Sequence, residues 1–220
     1  MNGRDLDLNH RIAMNTVHQT TRFGLVRHAQ TRWNVDKRIQ GQQDSPLTAN
    51  GIRQARQWGD DLSAFSWDVC ICSDLGRARE TAGHINASLN LSLATDARLR
   101  EQDWGDWTGS TIAGLTKNHP EELAKQVTRG WAFCPPGGED RLAVLKRGQA
   151  ALEDMAARYM GASILVVSHE GLIKCLLYRC LNRKFIPTEK PVLRAYHLHW
   201  ITCDRNGLAI EKLNALALQI

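Results

Sequence analysis

The chain has 220 residues, 43% hydrophobic and 23% charged, with a formal net charge of +5 and an isoelectric point near 9.0. That length and composition suit one globular domain with a core of normal size and no disulfide staples. A mild basic excess suits an anionic substrate. No Lys/Arg run marks a nucleic-acid patch, and no apolar stretch approaches a membrane-spanning helix.

Residues 1–20 have no continuous apolar run of the secretory type and are expected to form a flexible leader, with the packed fold, a single domain over 21–220, starting near Thr21. TRFGLVR (21–27) reads as a short buried strand that ends on Arg27-His28. DSPLTANG (44–51) is turn-rich and offers Thr48 as a helix N-cap. Ile52, Ala55, Leu62 and Phe65 then keep helical spacing to about residue 65. WDVCIC (67–72) is a second buried strand. It is followed by a helix over 73–89 with Ser73 or Asp74 at its start.

LSLAT (91–95) is a weaker strand. From Glu101 to Pro136 the chain holds Gly, Trp and short helical pieces, and reads as a helical insertion over the sheet edge. PPGGED (135–140) breaks the chain before a long helix whose apolar face carries Leu142, Leu145, Leu152, Met155 and Tyr159. SILVVSH (163–169) is the clearest strand, and GLIKCLLYRCL (171–181) a buried helix. AYHLHWITCD and GLAIEKL, separated by Arg205-Asn206 before Gly207, predict a terminal hairpin.

Strands alternating with helices imply an α/β fold, a three-layer sandwich with a mostly parallel sheet and helices on both faces. The six cysteines are scattered with no C-x-x-C pair. They read as reduced, packed thiols and point to a cytoplasmic setting. His197 and His199 lie two apart on a strand, but no neighbouring ligand spacing supports a metal site there, and a half-buried strand face is the favoured reading.

In such sheets ligands bind beyond the carboxyl ends of the strands. Three strand ends carry polar residues: Arg27-His28, Ser73-Asp74 with Arg77 beyond, and Ser168-His169. If they meet, two guanidinium forks can grip a phosphoryl group, and a neutral imidazole can attack its phosphorus in line. The surrounding positive charge lowers that imidazole's pKa and stabilises the transition state. Glu101, in RLREQDWGDWTG, is the candidate for protonating the leaving alcohol and then activating water. The arginines supply the positive charge, so neither a metal nor a cofactor is called for.

RHAQTRWN, IQGQQDSPLTANGIRQA, SDLGRARETA, LREQDWGDWTG, PGGED and VVSHEGLIK succeed one another along the chain. Together they resemble the histidine phosphatase superfamily, also called phosphoglycerate mutase-like, from about Phe23 to Lys174. The resemblance implies that His28 is phosphorylated, that Arg27, Arg77 and His169 complete a phosphate pocket, and that Glu101 is the proton donor. It further implies that Asn34 lies beside the phosphate, that Thr31 sits near the pocket, and that Gln40-Gly41 is the family's QG pair.

The chain departs from that pattern where R-H-G-E reads Arg27-His28-Ala29-Gln30, and where Glu170 comes after the second histidine in place of glycine. Glu170 puts a negative charge near an anion pocket and is expected to shift substrate choice toward partly neutral or amine-bearing phosphoesters. Trp104, Trp107 and Trp131 are candidates to wall the pocket, and Arg79 to form surface ion pairs.

The function expected is a metal-independent phosphatase acting on phosphomonoesters of small metabolites. A bisphosphoglycerate-dependent phosphoglycerate mutase and an α-ribazole phosphatase are the alternatives, and a non-catalytic phosphate-binding module is ranked last. The 101–136 region is short for the mutase branch, which the resemblance associates with a longer insertion. No nucleic acid or membrane partner is expected, and a homodimer is left open.

Overall fold

The computed structural model describes residues 20–219, so the leader expected over residues 1–20 lies almost wholly outside the described residues. Six strands form one sheet in the order β3-β2-β4-β1-β5-β6. They are β1 Thr21–Arg27, β2 Val69–Cys72, β3 Ser92–Thr95, β4 Ser163–Ser168, β5 His197–Asp204 and β6 Gly207–Ala217. The first four in spatial order are parallel. The terminal hairpin adds β5 and β6 antiparallel through the two-residue turn Arg205-Asn206.

Alternation along the central strands builds two cores. Phe23, Leu25, Ile164 and Val166 face one layer with Leu152, Leu172 and Leu176. Those last three come from α6 (Arg141–Arg158) and α7 (Glu170–Cys180). Val26, Cys70, Cys72, Leu165 and Val167 face the other, with Trp58, Leu62 and Ile85 from α2 (Ala49–Leu62) and α3 (Gly76–Leu89). The cysteines are all unpaired, four of them buried. Burial pushes the Cys72 thiol up to about 11 and Cys175 to about 12, as expected of packed, unreactive thiols.

Two expectations need correction. Helix α3 starts at Gly76, and neither Ser73 nor Asp74 caps it. The cap comes from a distant loop: Asp44 accepts the Gly76 and Arg77 backbone N–H groups at 2.6 and 3.3 Å. Asp74 instead holds Arg100. Leu142 is 52% exposed; Val144, Gly148 and Ala151 share the buried face of α6 with Leu145, Leu152 and Met155.

The insertion occupies the segment between β3 and α6. Its helices, α4 (Ile112–Asn118) and α5 (Pro120–Val127), pack around a small cluster of their own, Trp107, Leu115 and Phe133, and the segment walls the cleft described below.

Replacing Leu165 by Ala, at a fully buried position between α2 and α3, is expected to cost about 2–5 kcal/mol of unfolding free energy. Leu142→Ala on the exposed side of α6 should stay within about 0.5 kcal/mol of the parent. Denaturant unfolding of the two variants checks both values.

Candidate active site

A cleft of about 460 Å³ opens beyond the carboxyl ends of β1 and β4. Because β1 and β4 pair in parallel with Arg27 opposite Ser168, the next residue of each strand, His28 and His169, leaves the sheet beside the other. Their ring centroids lie 5.3 Å apart. Both are almost fully buried. Arg27, His28, Asn34, Gln40, Arg77 and Glu101 all line the cleft.

The tautomer of His28 is set by its neighbour. Its Nδ1 lies 2.8 Å from the Ala29 carbonyl oxygen, which can only accept, so Nδ1 carries the proton and Nε2 the lone pair. Burial, then the guanidinium groups of Arg27 and Arg77, holds this imidazole well below its usual range. His169 is depressed for the same reasons. Neither of its ring nitrogens has a hydrogen-bond partner among the described residues.

The arginines are held from one side. Arg77 donates Nη1 to the Gln43 carbonyl (2.7 Å) and to Asp44 (3.0 Å), and Nη2 to the Gly41 carbonyl (2.7 Å). Its Nε–H is buried without a partner. Arg27 donates Nη1 to Glu170 at 2.6 Å, and its Nε is likewise unpartnered. Each therefore keeps its Nε–H uncommitted.

Glu170 does not stand as a free negative charge. One carboxylate oxygen accepts from Arg27 and the other from Lys174, one helical turn on. Burial alone would raise its pKa, but the two cations hold the carboxyl below the usual range. The expected pull on amine-bearing substrates therefore has no free carboxylate behind it; Glu170 anchors Arg27.

Glu101 enters from the segment after β3. Its carboxylate accepts the Gln102 and Gly171 backbone N–H groups at 2.8 and 3.1 Å. A Cβ at position 171 would come within 2.2 Å of Glu101 Oε1, so the glycine there makes room for the acid. Arg147 fixes the same segment, donating to the Arg98, Arg100 and Glu101 carbonyls and to Glu139.

Thr31 is fully buried and is not among the residues that line the cleft. Its hydroxyl and backbone N–H both donate to Asn34 Oδ1 at 3.0 Å, closing a capping box on α1 (Arg32–Val35) that sets the Asn34 side chain. Ala29 is buried, and its N–H donates to Thr81. Gln30 accepts the Thr48 hydroxyl at 2.8 Å, so both departures from R-H-G-E are absorbed into the scaffold.

Of the tryptophans only Trp104 lines the cleft; Trp107 packs in the insertion cluster, and Trp131 against Phe185. Arg79 is exposed, with no ion pair to a described residue. His197 and His199 line a second cavity of about 250 Å³ that shares Arg27, Glu170 and Lys174 with the cleft. No group of three or more His, Cys, Asp or Glu among the described residues is placed to hold a metal. Sequence reasoning missed Arg141 and Phe185, which also line the cleft. The PGGED run before Arg141 reads locally as a chain breaker, and the residues around Phe185 form no motif that signals a ligand.

His28, His169 and His199 are all depressed, the last to about 4 by burial. The unfolded chain binds more protons than the folded one below pH 6.5, so stability must fall as pH drops through that point. The expected slope approaches about 1.4 kcal/mol per pH unit for each histidine. Denaturant unfolding between about pH 7 and 5, above the range of ordinary carboxylates, measures it; a flat profile there rules out neutral buried histidines.

The family model for the histidine phosphatase superfamily (branch 1) matches residues 23–216. Probable phosphoglycerate mutase GpmB of Salmonella choleraesuis is 40% identical over 159 residues, 72% of this chain and 74% of that protein. The Klebsiella pneumoniae protein of the same name is also 40% identical over 159 residues, with the same shares covered. Among solved structures, YhfR of Bacillus stearothermophilus has a TM-score of 0.81 at 28% identity, covering 89% of this chain and 98% of that one. A mycobacterial glucosyl-3-phosphoglycerate phosphatase gives 0.76 at 28%, over 89% and 99%. A putative alpha-ribazole-5'-P phosphatase from Escherichia coli gives 0.74 at 25%, over 91% and 98%. With that family match over most of its length and relatives 40% identical, this chain belongs to the histidine phosphatase superfamily.

Proposed function

We propose that the protein hydrolyses phosphomonoesters of small metabolites through a phosphohistidine. The observation that carries this reading is the state of His28: neutral, with Nδ1–H fixed on the Ala29 carbonyl, Nε2 bearing the lone pair, and two arginines beside it with unpartnered Nε–H groups. Arg27, Arg77 and His169 hold the phosphoryl oxygens, and Asn34 lies beside them.

Nε2 attacks phosphorus, the bond to the ester oxygen breaks, and the alcohol departs with a proton from Glu101 in its acid form. The positive charge that develops on the ring is met by the Ala29 carbonyl through Nδ1–H. Glu101, now a carboxylate, takes a proton from water as the water attacks phosphorus. The nitrogen–phosphorus bond breaks, phosphate leaves, and both His28 and Glu101 return to their starting states. Preorganised guanidinium groups stabilise the charge on the equatorial oxygens at each step.

A mutase reading has one observation in its favour, the name of the 40%-identical relatives, probable phosphoglycerate mutase. Against it, the insertion here contributes only two helices of seven and eight residues to cover the phosphoenzyme from water. The α-ribazole and glucosyl-phosphoglycerate esters named for the solved neighbours belong in any substrate panel.

With an aryl phosphate, His28→Ala is expected to abolish turnover and the acid-labile phosphoenzyme seen on rapid quenching; turnover that persists in this variant overturns the reading. Glu101→Gln should lower kcat/KM by about 10²–10⁴ for alkyl phosphates and much less for nitrophenyl phosphate, whose leaving group needs no proton, while kcat falls for both because the base that activates water is lost. Phosphoglycerate with a bisphosphoglycerate primer separates isomerisation from phosphate release.

Glu170→Gln leaves Arg27 without its ionic anchor. The expected result is a roughly tenfold fall in kcat/KM for aryl phosphate with little change in the thermal midpoint. Unchanged kinetics would mean that Arg27 is held in place by other contacts.

A further inference from the structure

Arg27, Arg77 and Arg141 are the arginines of the cleft wall that are not exposed. The first two flank the histidines at the strand ends. Arg141, the first residue of α6, belongs to a different wall. Its guanidinium lies between the rings of Phe133 and Phe185, 4.2 and 3.9 Å from their centroids. Its Nη1 donates to the Gly130 and Phe185 carbonyls at 2.9 and 3.1 Å. The group is thus clamped on both faces and tied at one corner.

What it lacks is an anion. The neighbouring carboxylates are committed elsewhere: Glu139 to Arg147, and Asp140 to the N–H of Ala143 as the α6 cap. Burial pulls Arg141 down to about 10, the mark of a desolvated cation without a partner. In four other arginines the Nε/Nη2 edge grips a carboxylate: Arg22 holds Glu211, Arg98 holds Asp96, Arg100 holds Asp74 and Arg147 holds Glu139. In Arg141 that edge has no hydrogen bond to a described residue.

We propose that Arg141 is a specificity residue that binds a second oxyanion, a carboxylate or a phosphate, on the organic part of the phosphomonoester. The proposal rests on the reading of the cleft as a phosphomonoester site and adds the class of ester it selects. The exposed cations of the rim, Lys37 and Arg38, would have to shed water and freeze long side chains to do the same. Arg141 has done both in the folded protein, and a planar fork suits a bidentate oxyanion.

The test is calorimetric titration of the full chain with phosphonates, which bind without turning over. Straight-chain alkylphosphonates of about two to six carbons are compared with ω-phosphonoalkanoates and α,ω-bisphosphonates of equal length. At one or more lengths an anionic series should bind roughly tenfold tighter than the alkylphosphonate, as expected for one charge-assisted bidentate contact, and which series gains identifies the oxyanion. Arg141→Met should remove the gain and keep alkylphosphonate affinity, which also reports an intact fold.

If that variant is misfolded, Arg141→Lys decides, because it keeps the charge and loses the fork: the gain should shrink, and an undiminished gain overturns the assignment. Alkylphosphonates that bind with no anionic gain at any length overturn the role of Arg141 alone. If alkylphosphonates themselves fail to bind, the phosphomonoester reading fails, and this inference with it.

Discussion

The site depends on the parallel register of β1 and β4. Arg27 lies opposite Ser168, and the His28 N–H donates to the Ser168 carbonyl at 2.9 Å, one step beyond the last paired residues. That single hydrogen bond makes neighbours of two histidines 141 positions apart in the chain. A slip of one residue would turn every side chain of a strand to the opposite face, exchanging Leu25 for Val26 between cores and carrying His28 away from His169. The register is held because both faces are buried, so neither core tolerates the exchange. Ser168 extends the constraint, donating its hydroxyl to the Leu99 carbonyl at 2.8 Å, two residues before Glu101.

Around this junction the fold concentrates more positive charge than the carboxylates of the cleft, Glu101 and Glu170, neutralise. Arg77 is secured mainly by the carbonyls of Gly41 and Gln43, Arg141 by those of Gly130 and Phe185. Carbonyl dipoles fix a guanidinium in place while leaving its net charge available to an anion, which a full carboxylate partner would cancel. The two carboxylates that do touch the site arginines, Asp44 and Glu170, bind Nη1 and leave the Nε side clear. Burial, and then the same field, keeps both imidazoles neutral. Burying cations this way is unfavourable, and the two dry cores on either side of the sheet offset it.

Local pattern was enough for most of the scaffold. Continuous apolar runs mark β1, β2 and β4, and Thr48 caps α2 as its position before the helical spacing requires. Where the sequence misled, a distant residue had taken over a local role. Asp44 supplies the cap that Ser73 and Asp74 were positioned to give, and Leu142 faces solvent because the layer beneath α6 is met by Val144, Gly148 and Ala151. The same holds in the site. Glu170 reads as an intruding charge until Arg27 and Lys174 are seen on either side of it, and Thr31 reads as a pocket residue until its hydroxyl is found on Asn34.

The sequence by itself determined which elements form and which strand ends carry polar groups, because periodicity and the polar residues that interrupt it are properties of neighbouring positions. It also carried the family pattern in the spacing of its motifs. Only the tertiary structure decided the His28 tautomer, which edge of each arginine stays open, and that Arg141 sits between two phenylalanines with no anion beside it. Those properties depend on which distant carbonyls and rings are brought within a few ångströms, and no local pattern encodes that.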